Sequence, residues 1–192
     1  VKRTALKARN REALIDACLT EVAARGYRDA RLEDIAERAE LTTGAIYSIF
    51  GSKRNLLAAS MDQLATELAG ELDELADPAL SVTEVLRGAA RVWMRMAAGD
   101  GARDRFAFEL EATAAALREP EPAQPIPIQR LRELLTGRRF PGGRTTEEQA
   151  RRLSVAAHAL LSGLAQRALL DPAAVSGSEA EDAAAALAHL LC

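Results

Sequence analysis

The sequence predicts an all-helical fold, and three observations predict it. Apolar residues make up 48% of the chain but aromatics only 4%, so Ala and Leu fill the quota. Both are strong helix formers, and β-branched residues are sparse. Apolar side chains recur at i, i+3, i+4 and i+7 through nearly every segment, and no segment alternates as a strand would. Capping and breaking residues fall between these segments. At 192 residues and 20.6 kDa the chain can bury roughly 70% of its unfolded surface, so it needs no disulfide or metal to fold.

About nine helices follow in order. Residues 11–25 put Leu14, Cys18 and Val22 on one face, and Gly26 stands where a left-handed C-terminal residue belongs. Leu32, Ile35, Ala36 and Ala39 mark a short second helix. A third spans about 43–50, with Ile46, Ile49 and Phe50 inward. Gly51 breaks the chain and Ser52 caps a long fourth helix, whose stripe is Leu57, Met61, Leu64, Leu68, Leu72 and Leu75. Asp77-Pro78 stops it near residue 76. Ser81 and Glu84 form a capping box for a fifth helix carrying Val82, Val85, Leu86, Ala89, Trp93 and Met96, which Gly99-Asp100-Gly101 ends. Phe106, Leu110, Thr113 and Leu117 mark the inner face of a sixth. Residues 119–127 read as a loop because Pro recurs there and lacks the N–H a helix needs. The seventh helix, about 128–138, carries Ile128, Leu131, Leu134 and Leu135, and Gly142-Gly143 breaks the chain again. Thr145 and Thr146 with Glu148 and Gln149 form overlapping capping boxes before a long helix to about 170. Ser178 starts the last one, which carries Ala183, Leu187, Leu190 and Leu191.

Charge is uneven along this array. The formal net charge is −3, yet residues 1–60 carry 11 basic against 8 acidic groups. Five of those basic groups (Lys2, Arg3, Lys7, Arg9, Arg11) fall within the first eleven residues, with no acid among them. A basic end on an acidic body suits local contact with a polyanion; a solvated terminus explains the same charges equally well. Cys18 and Cys192 form no disulfide framework, and no Cys/His spacing suits zinc. No cofactor or metal is expected. No apolar run approaches a membrane span and no signal-peptide pattern opens the chain, so it reads as soluble and cytoplasmic.

Residues 32–50, LEDIAERAELTTGAIYSIF, have the layout of a helix-turn-helix. The outward positions of the second of these helices are Thr43, Gly44, Tyr47 and Ser48. None carries a large aliphatic group, so this face can enter a major groove about 12 Å wide. Thr43 and Ser48 can contact base edges or phosphate, and Tyr47 can reach a phosphate oxygen. Ser52 and Lys53 sit at the next helix's N-terminus, where free N–H groups and the dipole favour an anion.

The segment GYRDARLEDIAERAELTTGAIYSIFGSKRNLL closely resembles the DNA-binding segment of TetR-family transcriptional regulators, and the likeness covers about residues 11–60. It implies a DNA-binding domain over residues 1–55 and a ligand-binding and dimerisation domain over 56–192. It further implies a homodimer on a palindromic double-stranded operator, released by a small-molecule effector. The DNA-contacting set is then Arg31, Thr42, Thr43, Gly44, Tyr47, Ser48, Ser52 and Lys53. Two positions depart from the family pattern. Glu40 replaces the glycine usual in the turn, and Ile49 stands where an aromatic or His often touches DNA. Arg31 takes the place of a small hydroxyl residue and can reach phosphate or a base.

The remaining chain matches that family in architecture alone. Trp93, Met96, Phe106 and Phe108 read first as core; the alternative is a ligand cavity lined by Met61, Leu64, Trp93, Met96, Phe106, Leu110 and Thr113, suited to a mainly hydrophobic effector. Small residues on the last two helices, about 146–170 and 178–191, permit close packing, within one chain or across a dimer. An enzyme is the competing class. It finds no nucleophile elbow, phosphate loop, HExxH or carboxylate pair here, and the chain has two histidines in all. A helical interaction protein that has lost DNA binding is the third, resting on Glu40 and Ile49.

Overall fold

The computed structural model describes residues 2–118 and 126–191, with side chains for 4–118 and 128–190. Among them are nine α-helices: α1 (Lys2–Asp29), α2 (Leu32–Arg38), α3 (Thr43–Phe50), α4 (Lys53–Glu71), α5 (Val82–Ala98), α6 (Ala102–Arg118), α7 (Ile126–Leu135), α8 (Glu147–Leu170) and α9 (Gly177–Ala186). The all-helical class holds. The chain forms two compact units. The N-terminal unit contains residues 1–64 and 103–122, and the C-terminal unit contains 65–102 and 123–192. The unit that includes residues 1–55 therefore runs on to Leu64 and takes in α6.

The N-terminal core is built from Leu14, Ile15, Cys18 and Val22 of α1, Ile35 and Ala36 of α2, Ile46 and Phe50 of α3, Leu56, Leu57 and Leu64 of α4, and Phe108 and Ala112 of α6. α1 differs from expectation at both ends. It begins at Lys2, and it does not stop at Gly26. There φ is 80° and ψ is 158°, a glycine conformation that is not the left-handed cap; the helix kinks and resumes for one more turn. The inward stripe expected on α6 is also corrected. Leu110 is 56% and Leu117 79% exposed, whereas Phe108 is wholly buried with Ala112. Alanine occupies so many positions of α6 that the period is ambiguous, and the packing selects the side that fits the core closely.

In the C-terminal unit α5 is central, packed against α8 and α9, while α7 packs on α8. Its inner face is Val82, Val85, Leu86, Gly88, Ala89, Ala90, Val92 and Trp93. A Cβ at Gly88 would meet the end of the Leu75 side chain, which would have to move to make room. Arg87 and Arg91, on the outer face, pair with Asp182 and Glu181 of α9. The Ser81–Glu84 capping box is complete. The hydroxyl and N–H of Ser81 hold the Glu84 carboxyl below the usual carboxylate range.

Several boundaries move for identifiable reasons. α4 ends at Glu71 and tightens into a 3-10 turn, Leu72–Leu75. α7 starts at Ile126, so Pro127 lies in its first turn, where a missing N–H leaves no bond unmade. The rest of the expected loop, 119–125, lies outside the described residues. A two-residue antiparallel pair, β1 (Arg139–Phe140) and β2 (Gly143–Arg144), interrupts the helical order, and no strand signal in the sequence marks it. Of the overlapping boxes before α8, Thr146–Gln149 is the one used. Thr145 is buried instead, its hydroxyl donating to the Leu135 carbonyl. α9 is capped by Ser176 with Glu179, two residues before the expected Ser178. One further correction concerns apolar length. α8 contains an 18-residue window of mean hydropathy 1.3, long and apolar enough to cross a membrane by composition. Its contacts with α5 and α7 make it a packed helix of the C-terminal unit.

Candidate DNA interface

Three short segments assemble the reading head. α2 ends in a Schellman turn: Glu40 N–H donates to the Glu37 carbonyl and Leu41 N–H to that of Ala36, both at 2.9 Å. The residue between such bonds takes the left-handed conformation, and Glu40 has φ 55°. The turn thus keeps its shape without the glycine, at a local cost. Replacing Glu40 with glycine should relieve about 1–2 kcal/mol of steric strain and add about 0.4–1 kcal/mol of unfolded-state entropy. A net stabilisation of about 0.5–1 kcal/mol is expected in urea melts, and a destabilised Glu40→Gly variant would contradict it.

Thr42 then caps α3, its hydroxyl oxygen accepting from Ala45 N–H at 3.3 Å. Ile46 and Phe50 turn inward and are buried, and Ile49 is half-buried against the same core. Thr42, Gly44, Tyr47 and Ser48 are exposed, and Thr43 is half-exposed. Tyr47 is 57% exposed, a large ring with no core to fill. The outward face of α3 is therefore small and polar except for one aromatic hydroxyl. Its angle to the core is fixed by helix packing, since α1 packs on α2 and α2 on α3.

Lys53 and Arg31 flank this face differently. Ser52 caps α4 by accepting from Asn55 N–H at 3.1 Å. The Lys53 ammonium is drawn to the carbonyls of Tyr27 and Arg28, at the end of α1. It lies 4.7 Å from the Tyr27 ring centroid, and burial lowers its pKa. A lysine has three donors, so one is still available. Arg31 is the N-cap of α2 but cannot accept a hydrogen bond, so α2 has no side-chain cap. Its side chain is exposed, in an open cleft with Arg25, Arg28, Asp29 and Asp34.

Sequence reasoning missed the groups that brace the head. Glu21 is only 3% exposed. It pairs with Arg38 of α2 at 2.7 Å and with Arg25 at 3.2 Å, and Arg25 also reaches Asp34 at 2.6 Å. The signal was legible, because Glu21 stands seven residues after Leu14, on the buried stripe. Glu111 of α6 accepts from Tyr27 N–H at 3.0 Å, just after the kink. Nothing in the sequence spacing announces a contact across 84 residues. The same short turn is thus held by α6 through its N–H and by α4 through its carbonyl.

Residues 14–67 match the family model for bacterial regulatory proteins of the tetR family. The N-terminal domain is a tetR-family domain. The fold agrees over nearly the whole chain. A TetR-family member from Streptomyces coelicolor A3 is 24% identical with a TM-score of 0.71, covering 93% of this chain and 97% of that one. The fatty acid degradation regulator FadR from Bacillus halodurans is 17% identical with a TM-score of 0.65, covering 93% of each chain. NalD, the secondary repressor of the MexAB-OprM multidrug efflux pump in Pseudomonas aeruginosa, is 21% identical with a TM-score of 0.58 and 96% coverage of each. No curated protein matches the chain. Proteins of the tetR family are transcriptional regulators that bind DNA, and that is the activity to which this domain belongs.

The seven residues expected around an effector are distributed between the unit that holds the tetR-family domain and the other. Met61, Leu64, Phe106, Leu110 and Thr113 belong to the N-terminal unit, and Trp93 and Met96 to the C-terminal one. Leu64 and Trp93 are buried, Met61, Met96 and Phe106 are half-buried, and Leu110 and Thr113 are exposed. Trp93 donates its indole N–H to Ser162 at 3.3 Å and meets the His158 ring edge-on, 6.0 Å between centroids. Burial pushes the Glu109 carboxyl on α6 up to about 7 and the Cys18 thiol up to about 11.

Proposed function

We propose that the protein is a ligand-responsive transcriptional repressor that binds a palindromic operator as a homodimer and is released by a mainly hydrophobic small molecule. The observation that carries this reading is the exposed face of α3, with Gly44, Tyr47 and Ser48 free for DNA within a tetR-family domain. Thr43 and Ser48 then address base edges. Tyr47, Arg31, Ser52 and the third donor of Lys53 address phosphate, and Thr42 serves chiefly as the cap that orients the helix. A DNA-binding role places the protein in the cytoplasm.

Dimerisation through α8 and α9 is supported by what those helices leave exposed. Only 28% of the apolar window of α8 is buried, so much of its apolar surface lacks a partner in one chain. Val155 and Leu170 of α8 and Leu190 beyond α9 are exposed at 44%, 76% and 57%. A two-fold interface would cover them and set two recognition helices one DNA turn apart, about 34–36 Å, or a multiple of that. Effector release is supported by the position of α6. Its Glu111 holds the turn that Lys53 also holds, so a displacement of α6 reaches the DNA-facing side of the N-terminal unit. Allosteric coupling of about 1–3 kcal/mol would change operator affinity roughly 5–150-fold.

The test is selection of duplexes from a random pool, followed by binding across a salt series. If each protomer makes about four phosphate contacts, log K against log salt should have a slope near −7 for the dimer. Thr43→Ala should relax sequence preference, while Lys53→Ala should weaken all sequences alike. Thermal melts of both variants separate weaker DNA binding from impaired folding. A flat salt response, or selection of no palindrome, would overturn the reading.

A further inference from the structure

Two pairs of charges lock α2 to α1. Glu21 and Arg25 stand four residues apart on α1, and Asp34 and Arg38 four apart on α2. Arg38, the last residue of α2, donates from Nε to the buried Glu21 Oε1 at 2.7 Å. Asp34, in the first turn of α2, accepts from Arg25 Nη1 at 2.6 Å. Arg25 Nε lies 3.2 Å from the other Glu21 oxygen and so joins the two ties. A single tie would leave α2 free to pivot. Two ties about 6 Å apart along the axis fix its rotation as well as its position. The order of the charges also excludes the neighbouring registers. Residue 21 faces 38 and residue 25 faces 34. Moving α2 by one turn therefore sets Asp34 against Glu21 in one direction, and Arg38 against Arg25 in the other. Like charges then meet, and each wrong register is penalised.

Stability alone does not account for a carboxylate at this place. Glu21 continues the buried stripe of Leu14 and Cys18, where an apolar side chain would have no charge to desolvate. Replacing a buried ion pair with apolar groups is often neutral or stabilising. Glu21 Oε2 is, moreover, buried without a hydrogen bond, a costly state for an acceptor. What the charges supply, and apolar packing does not, is one discrete register. α2 leads through its Schellman turn into α3, while Lys53 at the start of α4 is bonded to the end of α1. The register of α2 on α1 therefore sets where the outward face of α3 stands relative to Lys53.

We propose that Glu21 is a positioning residue for DNA reading: through Arg38, and through Arg25 and Asp34, it holds α2 and α3 in the one register that fits base edges, and so determines sequence selectivity. The inference rests on the DNA-binding reading above and adds to it the source of selectivity. Glu21 is buried, so its effect reaches DNA only through α2. A base-edge hydrogen bond is lost when its donor shifts by about 1 Å. Attraction between basic groups and phosphates persists over about 8–10 Å at ordinary salt. A loosened α2 thus costs specific binding and leaves non-specific binding nearly intact.

The experiment compares wild type, Glu21→Gln, Asp34→Asn, the double variant Glu21→Leu/Arg38→Leu, and Ile15→Val. Each is titrated with a duplex selected by the wild-type protein and with an unselected one, across a salt series, and melted in urea by circular dichroism. Glu21→Gln should lower the ratio of the two affinities by about tenfold or more, the scale of a lost base contact, with the salt slope on unselected duplex unchanged. Asp34→Asn weakens only the tie to Arg25, without disturbing the buried carboxylate, and should lower the ratio less. The double variant replaces the buried pair with apolar groups, so it should melt no earlier than Glu21→Gln and still fail to recover selectivity. Ile15→Val trims the same core and should leave the ratio unchanged. Wild-type selectivity in Glu21→Gln or in the double variant would show that packing alone sets the register. A ratio that falls with stability in every variant, Ile15→Val included, would show general loosening; each result overturns the proposal. Failure of the wild-type protein to prefer any duplex would instead overturn the DNA-binding reading itself.

Discussion

Arg138→Ala is expected to destabilise the C-terminal unit by about 3–5 kcal/mol, the range for breaking a buried charge interaction. Arg138 is only 8% exposed. Its guanidinium donates to carbonyls alone: Leu134 at 2.6 Å, Leu75 at 3.1 Å, Ala76 at 3.2 Å, Leu80 at 3.4 Å, and Asp77. These are mostly the carbonyls left without partners where the turn Leu72–Leu75 ends. One planar cation thus terminates that turn, ties the 75–80 segment to the end of α7, and is stabilised by the negative end of a helix dipole. Alanine would leave several buried acceptors unbonded, each costing about 1–3 kcal/mol before relaxation and hydration. Arg138→Lys should recover less than half of the loss, because an ammonium has three donors and no fixed fork. Trp93 is the sole tryptophan and lies in this unit, so its fluorescence in a urea titration reports the transition. A loss below about 1 kcal/mol would show that water replaces the guanidinium easily.

Phe108→Ala is the second large effect. Phe108 is wholly buried in the core that α6 shares with α1 and α4. Truncating a buried Phe costs about 3–5 kcal/mol, the lost transfer energy plus the cavity. Phe106→Ala should cost less than half as much, since Phe106 is only half-buried. The Phe108 variant should also lose amide protection in α1 and bind DNA weakly, because the helix that supports α2 and α3 has lost a packing partner. The two variants decide which face of α6 is inside. A larger effect at Phe106 would restore the inward stripe expected from the sequence and contradict the packing.

The sequence alone was sufficient wherever the cause is local. Caps and breaks at Ser52, Asp77, Ser81 and Thr146 depend on side chains within three residues of their targets, so spacing reveals them. The helix-turn-helix is legible for the same reason. Ile46 and Phe50 are one turn apart and turn inward together, which leaves Gly44, Tyr47 and Ser48 outward in any packing that buries the first pair. The family resemblance marked Glu40 as the turn position usually held by glycine, though not the fact that the turn keeps its geometry without it.

Tertiary structure decided what depends on distance or on degenerate pattern. α6 is rich in alanine, so two faces compete, and only the approach of α1 and α4 selects Phe108 over Phe106. Glu111 and Tyr27, and Arg138 and the 75–80 carbonyls, are separated by about 60–80 residues and carry no periodic mark. Lys53 read as a free charge at a helix end, and the fold gave it carbonyl partners on α1. Burial of a polar group fixes its partners by three-dimensional proximity, because an unpaired donor or acceptor away from water is costly. Spacing along the chain specifies that proximity only within a few turns of one helix. The local code therefore determined the elements and the helix-turn-helix, and long-range packing determined which charges brace it and which stay exposed.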